Sequence, residues 1–212
     1  MTYLIFSDIH GNLPAFEAVL HHESNVEGYI NLGDVVNYGP WSNECVQIID
    51  SLHNCYNIIG NHETYFKSGI CDVENQLVQS FFNQTFKSFK ENSKIKKYET
   101  SINLEGFELV HTLNQKEYIF RDSQIEVHKN TMLGHSHQQY LRYFGDKLLL
   151  NPGSIGQNRK FINLSNYALW NIDTGEIQLK MKKYNIDHLL DKMREEDYPK
   201  ECLAYYNNKK RY

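Results

Sequence analysis

Apolar positions along the chain come in short bursts that stop at polar loops. Tyr3-Leu4-Ile5-Phe6 runs into Ser7 and Asp8, which predicts a buried strand over 3–7. Asn12-Leu13-Pro14 then opens a helix, with Asn12 as N-cap, Pro14 in the first turn, and Phe16, Val19 and Leu20 on the apolar face. Residues 28–32 predict a second strand that ends at Gly33-Asp34. Ser42 is placed as the cap of a second helix that buries Cys45, Ile48, Ile49 and Leu52. A third strand over 56–59 ends at Gly60-Asn61-His62-Glu63. Strands alternating with helices favour an α/β sheet with right-handed crossovers.

The later pattern is more mixed. Residues 73–92 predict one longer amphipathic helix, striped by Leu77, Phe81, Phe82, Phe86 and Phe89. Period-two alternation predicts hairpins over 98–111, 139–150 and 167–184, turning at Glu105-Gly106, Gly145-Asp146 and Thr174-Gly175. A short helix is expected over 122–128, a strand over 131–133 and a helix over 186–195. The residues after Pro199 read as a loose polar tail, so one domain is expected over 1–198 and a tail over 199–212.

Composition narrows the class. Hydrophobic residues make up 41% and charged residues 23%, which suits a packed soluble domain and excludes a mostly disordered chain. A net charge of -4 gives no global pull toward nucleic acid or anionic membrane. Cys45, Cys55, Cys71 and Cys202 form no CxxC pair, which argues against a disulfide framework or a thiolate zinc site. The first apolar run is too short for a signal-peptide core, and no stretch approaches the ~20 residues of a membrane span, so a cytoplasmic protein is expected. No GxGxxG follows a strand and no GxxxxGK[ST] is present, which sets aside the Rossmann and P-loop classes.

The chemistry collects where strands end. Asp8, His10, Asp34, Asn61, His62, His111, His135 and His137 follow predicted strands, and such loops line the ligand crevice of an α/β sheet. Carboxylate, imidazole and amide donors without thiolate suit Mn, Fe or Zn. Asp8/His10 and His135/His137 are i, i+2 pairs, so each can aim two side chains the same way. The set is too rich for one tetrahedral zinc and fits two ions about 3.5–4 Å apart sharing a carboxylate. Gly33, Gly60 and Gly134 permit sharp turns directly before candidate ligands.

Taken in order, Asp8-Ile9-His10, Gly33-Asp34-x-x-x-x-Gly39, Gly60-Asn61-His62-Glu63, His111 and Gly134-His135-Ser136-His137 resemble the calcineurin-like metallophosphoesterase superfamily. The stretches 8–15 and 151–157 resemble its compact bacterial and archaeal phosphodiesterase branch. The resemblance implies two mixed β-sheets packed face to face with helices outside, the four-layer metallophosphoesterase fold. It implies that Asp8, His10 and His137 hold one divalent ion, that Asn61, His111 and His135 hold a second, and that Asp34 bridges them. The cofactor expected is a pair of Mn ions, with Fe or Zn as alternatives. It also implies that His62 is no ligand and acts on the leaving-group oxygen or the phosphoryl group. As a proton donor His62 must be protonated, so activity is expected to fall at high as well as low pH. Glu63 and Thr112 depart from the commonest family residues, and Glu63 matters if its carboxylate orients His62.

The reaction expected is hydrolysis of a phosphodiester or nucleotide pyrophosphate bond, by in-line attack of a hydroxide that the ions generate. The family branch suggests a small nucleotide substrate, such as a dinucleoside polyphosphate or a cyclic nucleotide. Arg159, Asn37 and Tyr38 are candidate substrate contacts, Arg159 because it directly follows the 151–158 loop and suits bidentate phosphate binding. A protein phosphatase or phosphomonoesterase could use the same residues, and a scaffold of this fold is the alternative of another class, disfavoured because His62 and all seven ligand positions are intact. No membrane partner is expected, a nucleic-acid substrate is disfavoured by length, and a homo-oligomer stays open. The basic run Lys87, Lys90, Lys94, Lys96 and Lys97 reads as a solvated helix end or a polyphosphate-attracting patch.

Overall fold

In the computed structural model, which describes residues 1–113 and 118–212, the first half of the chain builds a sheet around β1 (Thr2–Phe6). β1 pairs in parallel with β2 (Gly28–Asn31), which pairs in parallel with β3 (Cys55–Asn57). On its other side β1 pairs antiparallel with β9 (Leu164–Asn171), and β9 with β10 (Ile177–Lys183). The second sheet has the order β4 (Ser101–Leu104), β5 (Phe107–Val110), β6 (Asn130–Met132), β8 (Lys147–Pro152), β7 (Gln139–Phe144). Both sheets are mixed, since β5, β6 and β8 run parallel while the edge pairs β4–β5 and β7–β8 are antiparallel.

Strand periodicity explains how the sheets face each other. In β1, Tyr3 and Ile5 join Ile30, Leu109, Met132, Leu150 and Trp170 in the core between the sheets. The alternate residues Leu4 and Phe6 pack outward against α1 (Leu13–His22), through Phe16 and Val19. Full burial of each such side chain contributes roughly 1.5–3 kcal/mol, so β1 is committed on both faces. α2 (Ser42–Ser51), α6 (Asp187–Glu195) and α7 (Lys200–Asn207) complete the helical cover of the first sheet. The outer face of the second sheet is covered differently. Val110, Leu133, Tyr140 and Leu149 pack against Ile119, Ile125 and Val127 of an extended segment. Residues 122–128, expected to be a helix, lie in that segment with no helical turn, because alternate residues rather than one helical stripe meet the sheet.

Four further expectations change. The single helix over 73–92 is two, α4 (Gln76–Phe86) and α5 (Asn92–Ile95). Asn43 of α2 causes the break: its amide donates to Ser88 O and its carbonyl accepts from Lys90 N–H, which diverts the backbone from the helical ladder. Ser42 does not cap α2 but is its first residue, and its Oγ accepts from Asn37 N–H instead. Residues 61–68, given no helix in the sequence reading, form α3 (Asn61–Ser68), which closes on Gly69 in the left-handed conformation. The residues after Pro199 are no loose tail. Cys202 and Tyr206 of α7 are buried, Ile162 N–H donates to Lys210 O, and Tyr212 N–H donates to Asn163 Oδ1 at 2.7 Å. The basic run past α4 lies away from the cleft described below, with Lys94 paired to Glu91 at 2.9 Å. No described helix is long and apolar enough to cross a membrane.

Candidate metal centre

The candidate ligands sit just past the carboxyl ends of strands, on loops except for Asn61, the first residue of α3. The loop after β1 is zipped to the loop after β2: Asp8 N–H donates to Gly33 O, His10 N–H to Asp34 O and Gly11 N–H to Val35 O. Asp8, His10, Asp34, His135 and His137 all have positive φ, between 51° and 64°. Left-handed backbone at non-glycine residues is costly and persists only where neighbours over-determine it. Gly33, with φ 96°, makes the turn that precedes Asp34. Gly60 is required for a different reason. A Cβ there would lie 2.1 Å from Asp34 Oδ1, so the Asp34 carboxylate occupies the space a side chain would need.

Each buried carboxylate is anchored by one oxygen and presents the other. Asp34 Oδ1 accepts from His62 N–H at 2.9 Å, while Oδ2 faces His111 Nε2 at 3.1 Å. Asp8 Oδ2 accepts from His135 N–H at 3.1 Å, while Oδ1 faces His137 Nε2 at 3.2 Å and His10 Nε2 at 3.8 Å. The rings are held from behind by backbone carbonyls. Nδ1 of His111, His10 and His137 reaches Leu32 O, Val36 O and Gln157 O at 2.6, 3.3 and 3.1 Å. Those bonds place the ring proton on Nδ1, so each neutral ring turns an Nε2 lone pair inward.

The inward atoms suit cations. His10 Nε2 and His137 Nε2 are 3.1 Å apart with Asp8 Oδ1 beside them, an arrangement of lone pairs that needs positive charge at its centre. Asn61 Oδ1 lies 3.2 Å from His111 Nε2, and His135 Nε2 is buried with no hydrogen-bond partner among the described residues. Asp8, His10 and His137 bring one ligand atom each to within 4.8 Å of one another, and so do Asp34, His111 and His135. The electrostatics point the same way. Although burial disfavours its charged form, Asp34 draws a proton to His111 and lifts that imidazole to about 10. Burial, with His111 nearby, pushes His135 down to about 4, which keeps its lone pair available. Two buried carboxylates that recruit an imidazolium in this way accept a divalent ion in its place.

A third trio, His10, Asp34 and His62, also comes within 4.8 Å, but His62 is tethered differently. Asn37 Oδ1 accepts from Tyr38 N–H at 2.8 Å and from Thr85 O–H at 3.1 Å. That fixes the amide orientation and leaves Asn37 Nδ2 donating to His62 Nδ1 at 2.8 Å. Nδ1 is therefore an acceptor, and the proton of neutral His62 sits on Nε2, 4.0 Å from Asp34 Oδ2. Burial pushes the His62 imidazole down, and the neutral ring is the one its surroundings favour. Two expectations are corrected here. Asn37 is fully buried and does not line the cleft, because all its polar atoms are turned inward. Glu63 does not orient His62. Its carboxylate accepts from the backbone N–H groups of Gly60, Asp34, Val35 and Val36 at 2.7–3.1 Å, and so clamps α3 to the Asp34 loop.

The cleft has two arms. One, about 180 Å³, is lined by Tyr38, His62, Gln157, Arg159 and by Tyr118, Tyr205 and Lys209. The other, about 600 Å³, lies beside Asn61 and His111 and is lined by Ile59, Thr64, Tyr65 and Thr100. Tyr38 and Arg159 thus reach the cleft. Sequence reading missed Tyr118, whose ring stacks on His135 at 4.2 Å, and Tyr205 and Lys209, which arrive with α7. No local signal marks any of the three. The other five histidines, at 21, 22, 53, 128 and 188, are exposed and away from the site.

Comparison with known proteins agrees with this geometry. An uncharacterized protein of Methanocaldococcus jannaschii is 29% identical over 228 aligned positions, covering 89% of this chain and 90% of that protein. A metallophosphoesterase of Sphaerobacter thermophilus superposes with a TM-score of 0.80 at 23% identity, covering 98% of each chain. A hypothetical protein of Pyrococcus horikoshii superposes with a TM-score of 0.83 at 14% identity, covering 97% of each. Residues 1–175 match the family model of the calcineurin-like phosphoesterase superfamily domain, whose members use a dinuclear divalent metal site. With that match spanning every ligand loop, the chain belongs to the calcineurin-like phosphoesterase superfamily and is a metal-dependent phosphoester hydrolase.

Proposed function

We propose that this protein hydrolyses a phosphodiester or nucleotide phosphoanhydride bond at two divalent ions, Mn in the first instance with Fe or Zn as alternatives. Asp8, His10 and His137 would hold one ion and Asn61, His111 and His135 the other, with Asp34 available to both. One observation carries this reading. Two adjacent trios of ligand atoms, all buried except those of the half-buried His137, are each gathered within 4.8 Å, with the ring protons of His10, His111 and His137 drawn off behind them. When bound, such ions supply a nucleophilic water near neutral pH and neutralise the phosphoryl oxygens.

The remaining work falls to the chain. Asn37 holds His62 with Nε2–H aimed into the cleft. His62 donates that hydrogen bond to the phosphoryl or departing oxygen and stabilises charge as it develops. This replaces the imidazolium acid expected from sequence, since an amide donor on Nδ1 disfavours a second ring proton. Glu63 fixes the Asp34 loop. The larger arm beside Asn61 and His111 gives a departing nucleoside or other organic group room to sit.

Metal analysis of the purified protein, with a screen of the Mn-loaded form, tests the reading. The panel holds nucleotides, cyclic nucleotides, dinucleoside polyphosphates and phosphopeptides. Two ions per chain and chelator-sensitive hydrolysis of a nucleotide ester or anhydride are expected. Preferential turnover of phosphopeptides would move the protein to the phosphatases, and absence of both metal and turnover would leave a scaffold.

A further inference from the structure

The smaller arm of the cleft carries two cations that have no acid partner among the described residues. Arg159 follows the loop after β8, Lys209 lies just past α7, and both line the arm beside His137. Several exposed cations elsewhere in the chain are paired. Arg194 meets Asp191, Arg211 meets Asp187, and Lys94 meets Glu91. Among the described residues no carboxylate lies within ion-pair distance of Arg159 or Lys209, in a chain with 26 acids and 22 bases.

Both head groups are held in place by neutral partners. Lys209 Nζ donates to Tyr205 Oη at 2.7 Å and lies 4.1 Å over the same ring. Tyr205 O–H in turn donates to Gln157 Oε1 at 2.9 Å, and the Gln157 carbonyl receives His137 Nδ1. Among the described residues Arg159 spends only its Nε–H, on Ser136 O, while its guanidinium lies over Tyr118 and Phe120 at 5.5 and 5.3 Å. Its terminal nitrogens are left for a ligand. Burial, reinforced by Arg159, pushes the Lys209 ammonium down to about 8. Two like charges held together in a half-buried arm are unfavourable until an anion joins them.

We propose that Arg159 and Lys209 form a second anion subsite beside the metal centre, which binds a phosphate of the substrate other than the one hydrolysed. The inference rests on the phosphoesterase reading of the centre and narrows it. The favoured substrates carry a phosphoanhydride chain, as nucleoside polyphosphates do, and a cyclic nucleotide with its single phosphate leaves the subsite unused. The arm holds about 180 Å³, room for a phosphate group.

The test compares diadenosine tetraphosphate with bis-p-nitrophenyl phosphate, a diester that has no second phosphate, on the Mn-loaded protein. Lys209→Met keeps the packing on Tyr205 and removes the charge, and Arg159→Gln is the second variant. Losing one charged hydrogen bond lowers the ratio of kcat/KM between the two substrates by about 10–100-fold, chiefly through KM of the tetraphosphate. A ratio equal to that of the wild type in both variants overturns the subsite, and so does an equal loss on both substrates. Should the wild type hydrolyse neither compound, the proposed diester or anhydride specificity fails on its own account. Calorimetric binding of tripolyphosphate to the metal-free protein then decides the subsite. Binding weakened by Lys209→Met supports it, and equal or absent binding refutes it.

Discussion

The ligand loops and the wall of the smaller arm meet in one cleft but are held by different means. The loops are fixed locally and under strain. Five of the seven candidate ligands have left-handed backbone, at about 1–3 kcal/mol each. Glu63 offsets that strain with four backbone hydrogen bonds, and Asn151 and Ser154 add bonds to Gly134 O and Asp8 O. The part of the wall that α7 supplies is relaxed, with no residue of α7 at positive φ. Lys209 and Tyr205 reach it because α7 packs Cys202 and Tyr206 into the helical core, and because residues 210–212 are stitched to 162–163. The contrast separates two tasks. Holding ions and a developing charge requires atoms fixed to fractions of an ångström, whereas choosing a substrate requires only charge and space at the right distance.

Substitutions can break the comparison, beginning with the largest effect. Asp34→Asn removes the shared ligand and should cost several kcal/mol of transition-state stabilisation, roughly 10³-fold or more in kcat/KM, together with bound metal. Retention of two ions with full activity would mean that the loops do not form the centre. His62→Ala should keep both ions and lower kcat by about 10²–10³-fold, because it removes a donor and not a ligand. Metal loss matching that of Asp34→Asn would make His62 a ligand. Glu63→Gln turns one acceptor oxygen into a donor facing backbone N–H groups, and should weaken metal affinity by about 10–100-fold, read by competition with a chelator.

Asn37→Asp sharpens the reading of His62. A carboxylate at Nδ1 takes a ring proton, so Nε2 can donate only from the imidazolium. The variant should gain an alkaline limb, with kcat falling as pH rises through the His62 pKa. The wild type, which donates from the neutral ring, should show no such limb from His62. Identical alkaline profiles for the two proteins would count against the neutral donor. The smallest effect is expected in the wall. Tyr206→Phe loses the hydrogen bond from Gln157 Nε2 and should cost about 1 kcal/mol in urea unfolding, without loss of metal.

Legibility followed the same division. The first sheet's strands, the helices α1 and α2 and the hairpins were readable because their apolar periods are local. The candidate ligand set was readable because each member stands next to a strand end. α3 escaped because Asn61-His62-Glu63-Thr64 opens it without an apolar residue. The signals present were Glu63 reaching back to Gly60 N–H, buried Tyr65 and Phe66, and Gly69 as the closing residue. The second-sheet cover at 119–127 escaped because its alternate apolar residues meet a surface that the sequence does not display.

The sequence by itself determined the donors and their order: carboxylates, imidazoles and an amide spaced so that neighbouring loops can share them. It also determined the two-faced strand that carries the first pair, because a period of two is written residue by residue. Tertiary structure alone decided what each donor's second atom does. Asn37 became the partner that sets the His62 tautomer, Glu63 became a clamp on backbone, and Lys209 came to stand beside Arg159 across fifty positions of chain. The physical reason is range. Backbone preference and periodicity act over a few residues, while hydrogen-bond partners and unpaired charge depend on which distant segments packing brings together.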